Sequence, residues 1–552
     1  MPYKEKRWKV ATKKGKDIFE QIVLNRGILN LQEFINPPSP KEILALIFKE
    51  DKPLKKEAAK ARKLILGAIK KKFPIYIHGD YDVDGLCATA VLWELIYYEL
   101  GYKNCFPYIP NRFSEGYGLS KESVDGIVGT LPERPLSPLL VTVDCGIVSH
   151  KEVLYAKEKG FNVIICDHHQ KGKEAPLADA VLWTDKLCGA GISWLLACQL
   201  SKSAADESFL DLVALATIAD VQPLTNYNRS LVKSGLLALN KLSRVGVKAL
   251  AEVSGILGNK IGVYEVGWVI GPRLNASGRL ESAMDSLRLL CTKSYAKAFE
   301  IAKTLNLVNS QRQKLTFSMF EESKKFYRAG AKIIISKSGG FHEGVIGLVA
   351  GRLSQEYYLP SVVISEKEGI SRGSARSITG VDIIKMLRGF EDLFESLGGH
   401  PMAAGFSIRN EHLDSLVEKL HDFSEKLIKD DDIIPEIKID GEISLGEADY
   451  KLLGFVMGLE PFGFGNSEPV FLTRNVEVHD FKKIGKNGDH LRLTFKDAEG
   501  NLKKGVAFGF GEFSVKPQDK LDIVYTLNEN IWNGARSLDL RVKDMRTKPQ
   551  NS

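Results

Sequence analysis

Three short apolar runs each stop abruptly at acidic or histidine side chains, and nothing else in the chain constrains its fold as tightly. Phe73-Pro74-Ile75-Tyr76-Ile77 stops at His78-Gly79-Asp80-Tyr81-Asp82-Val83-Asp84-Gly85. Leu139-Leu140-Val141-Thr142-Val143 stops at Asp144-Cys145-Gly146, and Asn162-Val163-Ile164-Ile165-Cys166 stops at Asp167-His168-His169. Runs this short and this apolar suit strands buried on both faces. Helical stretches lie between them, at 86–100 and 148–159, and the alternation predicts a parallel sheet covered by helices on both sides. In such a sheet the carboxyl ends of the strands share one edge, so clusters far apart in sequence converge there. A fourth acid, Asp220, follows the apolar helix-like run Leu212–Ile218.

Carboxylates crowded at one edge repel one another unless cations neutralise them. Mixed carboxylate and imidazole donors suit Mn²⁺ or Mg²⁺ better than thiolate-loving metals. Two such ions about 3.5–4 Å apart can activate water and clamp a phosphate undergoing in-line displacement. A single Asp at a strand end commonly caps the next helix, but capping does not explain why all three strand ends carry metal-type ligands. The expected cage is therefore Asp82, Asp84, Asp144, His168 and Asp220, with phosphodiester hydrolysis as its chemistry.

A chain of 552 residues exceeds one hydrophobic core and is expected to form several domains. Residues 1–72 carry 19 Lys/Arg against 8 Asp/Glu and read as a basic helical N-terminal region, a footprint suited to a polyanion. Residues 73–291 form the sheet domain. From Thr292 to Ala329 there is neither Gly nor Pro and apolar residues recur every three to four positions, so 292–330 is expected to be one long connecting helix. A second α/β region follows over 331–432, with strands at 332–336 and 361–365 and helices near 345–356 and 381–396. Residues 433–552 are rich in strands and turns and suggest a small β-barrel. The seven cysteines are scattered and never form CxxC, which fits a reducing cytoplasm rather than a disulfide framework or zinc finger. No apolar run is long enough to span a membrane, and no secretory signal pattern is present.

The stretches HGDYDVDG, VTVDCG, CDHH and TIADVQPL resemble, in order and spacing, the DHH phosphoesterase superfamily. GPRLNASGRL (271–280), FHEGVIGLVAGRL (341–353), GSARSI (373–378), GGHPMAAGF (398–406), PFGFGNSEP (461–469) and ENIWNG (529–534) are similar to its RecJ family of bacterial single-strand-specific exonucleases. The resemblance implies a parallel-sheet DHH catalytic domain, a DHHA1-like substrate-binding domain joined to it by the long helix, and a C-terminal OB-like barrel. It implies that His78, Asp82 and Asp144 hold one ion, and that Asp84, Asp144, His168 and Asp220 hold the other, with Asp144 bridging. Asp167 would then fix a histidine tautomer, and His169 would face the reacting phosphate. Arg112, Ser374 and Arg376 are similar to positions that recognise a 5′-terminal phosphate. His400 and Arg279 are expected at the substrate cleft between the two lobes. In the barrel, basic and aromatic residues interleave (Phe481-Lys482-Lys483, Phe495-Lys496, Trp532 with Arg536), the mixture a single strand needs, although most of these rings are expected to fill the core.

The activity so implied is metal-dependent 5′→3′ hydrolysis of single-stranded DNA to mononucleotides, in recombination and repair, by a monomer. Implied partners are a single-stranded-DNA-binding protein and a recombination helicase. The alternatives are a DHH phosphodiesterase acting on short RNA or small nucleotides, and a non-catalytic replication scaffold.

Overall fold

The computed structural model describes residues 5–111, 114–116, 118–131, 137–201, 203, 208–280, 282–532 and 535–547. They fall into two compact units: residues 37–314 with 461–467, and residues 1–36, 315–460 and 468–552.

The N-terminal region is not uniformly helical, and it is divided between the units. Strand β1 (Arg7–Val10) pairs in parallel with Glu436–Ile439, and Trp8 Nε1 donates to the buried carboxylate of Asp544 at 2.6 Å. A pairing across more than 400 residues leaves no local periodicity to read. Helices α1 (Ile18–Asn25) and α2 (Leu31–Ile35) follow. The first unit begins at α3 (Pro40–Glu50), which opens with a Ser39–Glu42 capping box and a Pro at the position where a missing N–H costs nothing. Then comes α4 (Lys52–Lys71), capped by Asp51 and stopped by Lys72 in the left-handed region.

Next come β2 (Ile75–His78), α5 (Val83–Glu94) with a π-helical turn at Leu95–Glu99, β3 (Cys105–Tyr108), α6 (Lys121–Val128), β4 (Leu139–Val143), α7 (His150–Glu158), β5 (Asn162–Asp167) and β6 (Ala180–Trp183). The sheet order is β3-β2-β4-β5-β6, parallel throughout. Its register pairs His78 with Thr142 and Val143 with Cys166, so the ends of β2, β4 and β5 are level and their polar clusters emerge side by side. Helices α8 (Gly189–Leu200) and α9 (Leu210–Ala219) are apolar on nearly every side and almost fully buried. With α4 and α5 they enclose one core that includes Ile65, Ile77, Leu86, Val141, Ile164, Trp194 and Leu215. Helices α10 (Asn226–Asn240), α11 (Val245–Val253), α12 (Gly271–Leu280) and α13 (Met284–Cys291) complete the unit, and α14 (Tyr295–Ser323) leaves it.

In the second unit β7 (Ile334–Ser338), α15 (Ile346–Tyr357), β8 (Ser361–Ser365), β9 (Ile370–Arg376), α16 (Ile383–Arg388), β10 (Phe394–His400), β11 (Ala403–Arg409) and α17 (Leu413–Leu427) form a five-stranded sheet of order β10-β11-β9-β8-β7. The helix expected near 381–396 is only α16. It ends at Gly389, and the chain from Phe394 is a strand because its partner β11, not its own period, decides its state. After β12 (Glu436–Ile439), β13 (Gly441–Glu442) and α18 (Tyr450–Gly458), strands β14 (Phe471–Ile484), β15 (His490–Lys496), β16 (Leu502–Ala507), β17 (Lys520–Trp532) and β18 (Ala535–Thr547) close into a five-stranded barrel, with β17 pairing back onto β14. Phe471, Phe495 and Tyr525 fill it. Among the described residues no helix is long and apolar enough to cross a membrane, and all seven cysteines are free thiols.

Candidate metal centre at the sheet edge

Each acid is aimed by backbone groups. Asp82 caps α5, its Oδ1 accepting from the amides of Asp84 at 2.9 Å and Gly85 at 3.1 Å. Asp84, one residue inside that helix, reaches across to the start of α8, where the Gly189 and Ala190 amides each donate to it at 2.7 Å. A carboxylate on a helix N-terminus is held by orphan amides and by the helix dipole. Asp144 follows β4 with φ +61°, a left-handed conformation that Asp tolerates better than most residues. Gly189 is required beside it, since a β-carbon there would lie 2.6 Å from Asp144 Cβ. Asp167 ends β5 and accepts from the Ile147, His168 and His169 amides and from His169 Nδ1 at 2.8 Å.

The side chains converge. His168 Nε2 lies 3.1 Å from Asp144 Oδ1, 3.5 Å from Asp84 Oδ2 and 3.7 Å from Asp220 Oδ2. Donor atoms of three groups fall within 4.8 Å of one another: Asp84, His168 and Asp220; Asp144, His168 and His169; and Asp80, Asp82 and Asp144. Asp144 belongs to two of the three. His78 is in none of them. It is fully buried and stacked on Tyr108 with centroids 5.4 Å apart, yet among the described residues its Nε2 has no hydrogen-bond partner. A buried imidazole nitrogen left unsatisfied is costly, and a cation is one partner that removes the cost.

The electrostatics point the same way. Burial, and then repulsion from Asp84, Asp82, Asp80 and Asp220, hold Asp144 well above the ordinary carboxylate range. Burial and Asp84 raise Asp82 likewise and push Asp220 up to about 7. Burial lowers His168 and brings His78 down to about 4, so both imidazoles are neutral donors at pH 7. His169 behaves oppositely: burial opposes its charge, but its hydrogen bond to Asp167 and the surrounding acids raise it to about 9. For Asp167 burial acts upward, and the bonds from His169 and the nearby amides outweigh it, leaving the group below its usual value. Oxygen and imidazole donors, mutual repulsion and an unsatisfied buried nitrogen together fit divalent cations of the Mn²⁺ or Mg²⁺ type.

A pH-dependent stability follows. A carboxylate whose pKa is higher in the folded chain than in the unfolded one binds its proton more tightly when folded. Its contribution is therefore fully present below the unfolded value and is lost as pH rises through the folded one. With Asp220 at about 7 against an ordinary 3.8, and Asp82 and Asp144 also raised, the metal-free protein is expected to melt at progressively lower temperature from about pH 6.5 to pH 8, above the range in which the lowered His78 and His168 oppose the trend. Mn²⁺ should reverse this, adding about 2.7 kcal/mol per site at 100 times its dissociation constant, with the larger shift at pH 8. Thermal melts with and without Mn²⁺ check both slopes.

Reading the sequence missed three participants. Asp80 joins Asp82 and Asp144, and its signal was its place inside HGDYDVDG. Gln222 donates to Asp220 at 2.8 Å and lies 3.4 Å from His168 Nδ1. Asn275 accepts from the Val83 amide at 3.0 Å, steadying the ligand loop from α12. Arg279 is half-buried on the same helix, next to Gly278, whose added β-carbon would lie 2.9 Å from the Tyr81 carbonyl. It thus sits beside the ligand loop. Arg112 lies outside the described residues.

In the second unit, Ser374 and Arg376 stand two apart on β9, and Arg376 Nη1 donates to Ser374 Oγ at 3.1 Å and to the Ala375 carbonyl at 2.8 Å. His400 ends β10 opposite Ala403 and is exposed. Phe495 is buried in the barrel and cannot stack on a base, whereas Phe481 is half-exposed beside the exposed Lys482 and Lys483.

Residues 74–217 match the DHH family N-terminal domain, 330–426 the DHHA1 domain, and 439–544 the RecJ OB domain. The chain is 31% identical over 519 residues to the single-stranded-DNA-specific exonuclease RecJ of Haemophilus influenzae, covering 87% of this chain and 88% of that one. It is 34% identical to the RecJ of Bacillus subtilis, covering 86% of this chain and spanning 62% of the relative's length. The crystal structure of RecJ from Thermus thermophilus in complex with Mn²⁺ superimposes with a TM-score of 0.84 at 29% identity, over 99% of this chain and 80% of that one. With its sheet-edge acids, mixed second sheet and closed barrel, the chain belongs to the RecJ family of DHH phosphoesterases.

Proposed function

We propose that this chain is a divalent-cation-dependent exonuclease that hydrolyses single-stranded DNA from the 5′ end to mononucleotides, in DNA recombination and repair. The observation that carries the reading is the convergence of His168 Nε2 with Asp84, Asp144 and Asp220 at the edge of the parallel sheet. Relatives of this similarity carry the name of single-stranded-DNA-specific exonucleases, which supports the choice of substrate. In this reading 73–291 is the catalytic domain, 331–432 binds substrate, and 433–552 contacts the strand.

Asp80, Asp82 and Asp144 would hold one cation, with His78 as a further ligand, and Asp84, His168 and Asp220 the other, with Asp144 shared. Bound there, paired Mn²⁺ or Mg²⁺ ions would neutralise the phosphate and promote ionisation of an attacking water. The protein's own groups do the rest. The amides at the start of α8 keep Asp84 from turning away. Asp167 holds His169 by Nδ1 and keeps it charged, so that its other nitrogen can donate to a phosphate oxygen or to the leaving oxygen. Ser374 and Arg376, with Arg112, would take the 5′-terminal phosphate, and His400 and Arg279 the following backbone. A single-stranded-DNA-binding protein and a recombination helicase are the partners we assign, in a reducing cytoplasm that suits seven cysteines outside any disulfide.

The test is digestion in Mn²⁺ of 5′-phosphorylated single-stranded DNA, duplex DNA, RNA and a dinucleotide, labelled at either end. The expected result is fastest loss of the single-stranded DNA, with the 5′ label released first as a mononucleotide. Preference for RNA or the dinucleotide would overturn the reading.

A further inference from the structure

Helix α4 carries eight Lys/Arg between Lys52 and Lys71, and every one of them is exposed. Its buried face is Leu54, Ala58, Ala61, Ile65 and Ala68. At about 100° per residue, Lys52, Lys56, Lys63 and Lys70 fall within about 40° of one another around the axis, a line of cations along a rigid rod about 30 Å long. None of these four is ion-paired with a described residue. The helix has one acid, Glu57, which is half-buried and already engaged by Lys60 and the Val181 amide.

Solubility and the helix dipole account for only part of this. Lys70 and Lys71 stand in the last turn, where the dipole favours cations. Lys52, Lys55 and Lys56 stand in the first turns, where it disfavours them, and the first turn has no acid besides its cap. Like charges at i,i+3 and i,i+4, such as Lys52 with Lys55 and Lys56, weaken the helix further. Cations kept where both effects oppose them point to an external anion.

The stripe also has a direction. Only three residues link α4 to β2, so the helix runs antiparallel to the strand and its Lys52 end lies toward the sheet edge that carries the metal centre. Arg62, further along, donates to the Gln199 carbonyl at 2.8 Å, at the far end of α8, whose near end holds Asp84.

We propose that the exposed face of α4 is a docking track for the phosphate backbone of duplex DNA, which the metal centre does not process. This rests on the nucleic-acid reading above. Single-strand sites pair cations with exposed rings on which bases stack. The exposed positions of α4 that are not cationic are Pro53 and Ala59, and no ring is among them. A straight row of charges without stacking groups is complementary to a stiff duplex, which carries about one charge per 1.7 Å of axis. The enzyme would hold the double-stranded flank on α4 while the metal centre acts on a protruding strand.

The test uses the full chain with K56E/K63E/K70E and the neutral K56Q/K63Q/K70Q, checked for unchanged melting temperature. Fluorescence anisotropy with a blunt duplex and a matched single strand, in EDTA over a salt series, reads the track. Digestion of the single strand in Mn²⁺ reads the metal centre. The expected result is duplex binding weakened at least about 10-fold for the Glu variant, and a log K against log salt slope shallower by roughly 2–3 for both variants. Single-strand binding and digestion should stay at wild-type level. Unchanged duplex affinity and slope in both variants would overturn the proposal, as would a wild type that does not bind duplex. Equal loss on duplex and single strand would also overturn it, since the stripe would then serve the reacting strand. A wild type that binds duplex but digests no single strand would instead sink the function proposed above and leave the track standing.

Discussion

Replacing Asp144 by Asn is expected to abolish Mn²⁺-dependent digestion of single-stranded DNA and, in the same protein, to raise the melting temperature of the metal-free form at pH 8. Asn is the informative substitution because it preserves volume and tolerates the φ of +61°, so the backbone is not confounded with the charge. The activity loss should be on the order of 10³-fold or more, since even partners that only orient ligands are worth 10–100-fold. The stability gain has the opposite sign for a stated reason. Asp144 is 2% exposed and is pressed by Asp84, Asp82, Asp80 and Asp220, and removing its charge relieves all four. Activity assays and melts in EDTA read the two effects separately. A variant that loses activity and also melts lower without metal would show Asp144 to be structural rather than a cation ligand.

The second large effect lies at the other end of the same helices. Arg244 is expected to be the most sensitive charged residue for folding. Its Nε pairs with Asp211 at 2.6 Å, its Nη1 with Glu94 at 3.1 Å, and Nη1 also donates to the Leu290 carbonyl at 2.8 Å. Burial would lower its pKa, but Asp211 and Glu94 hold it above the ordinary value. Glu94 is the last residue of α5, whose first turn carries Asp84 and whose cap is Asp82. Asp211 lies in the first turn of α9, which ends just before Asp220. Arg244 therefore clamps the far ends of two helices that present candidate metal ligands at their near ends. Arg244→Ala leaves the half-buried Asp211 without its partner, while Glu94 retains Lys293 at 3.0 Å. The expected cost is about 3–5 kcal/mol, as for other broken buried ion pairs, read by chemical denaturation. Adding Asp211→Asn to Arg244→Ala should recover part of the loss, because the unpaired charge is then gone. A loss below about 1 kcal/mol would mean that the ion triad is too well hydrated to matter.

The acid and histidine cluster at the sheet edge was legible in the sequence because most of its members follow uninterrupted apolar strands. Ile75–His78, Leu139–Val143 and Asn162–Asp167 announce themselves by composition, and parallel register alone brings their ends together. What stayed hidden depends on distant partners. The Asp84 carboxylate is oriented by amides more than 100 residues away. Asp80 could not be told from its neighbours, because Asp80, Asp82 and Asp84 alternate where the chain turns from β2 into α5, and that turn decides which of them converge. Strands β3 and β6, CFPY and AVLW, are too short to show a period. β10 looks helical as far as Ser396 and becomes a strand through pairing with β11. In each case the missing information was tertiary.

A cage for two cations built on Asp144 fixes how many ions the chain must hold, so bound Mn²⁺ should be counted. Isothermal titration of the wild-type chain of 552 residues at pH 7.5, with unbound Mn²⁺ followed by its paramagnetic resonance signal, should give two ions per chain. The Asp144→Asn variant should bind at least one fewer. A wild type that binds none, or a variant that still binds two with unchanged affinity, would contradict the cage.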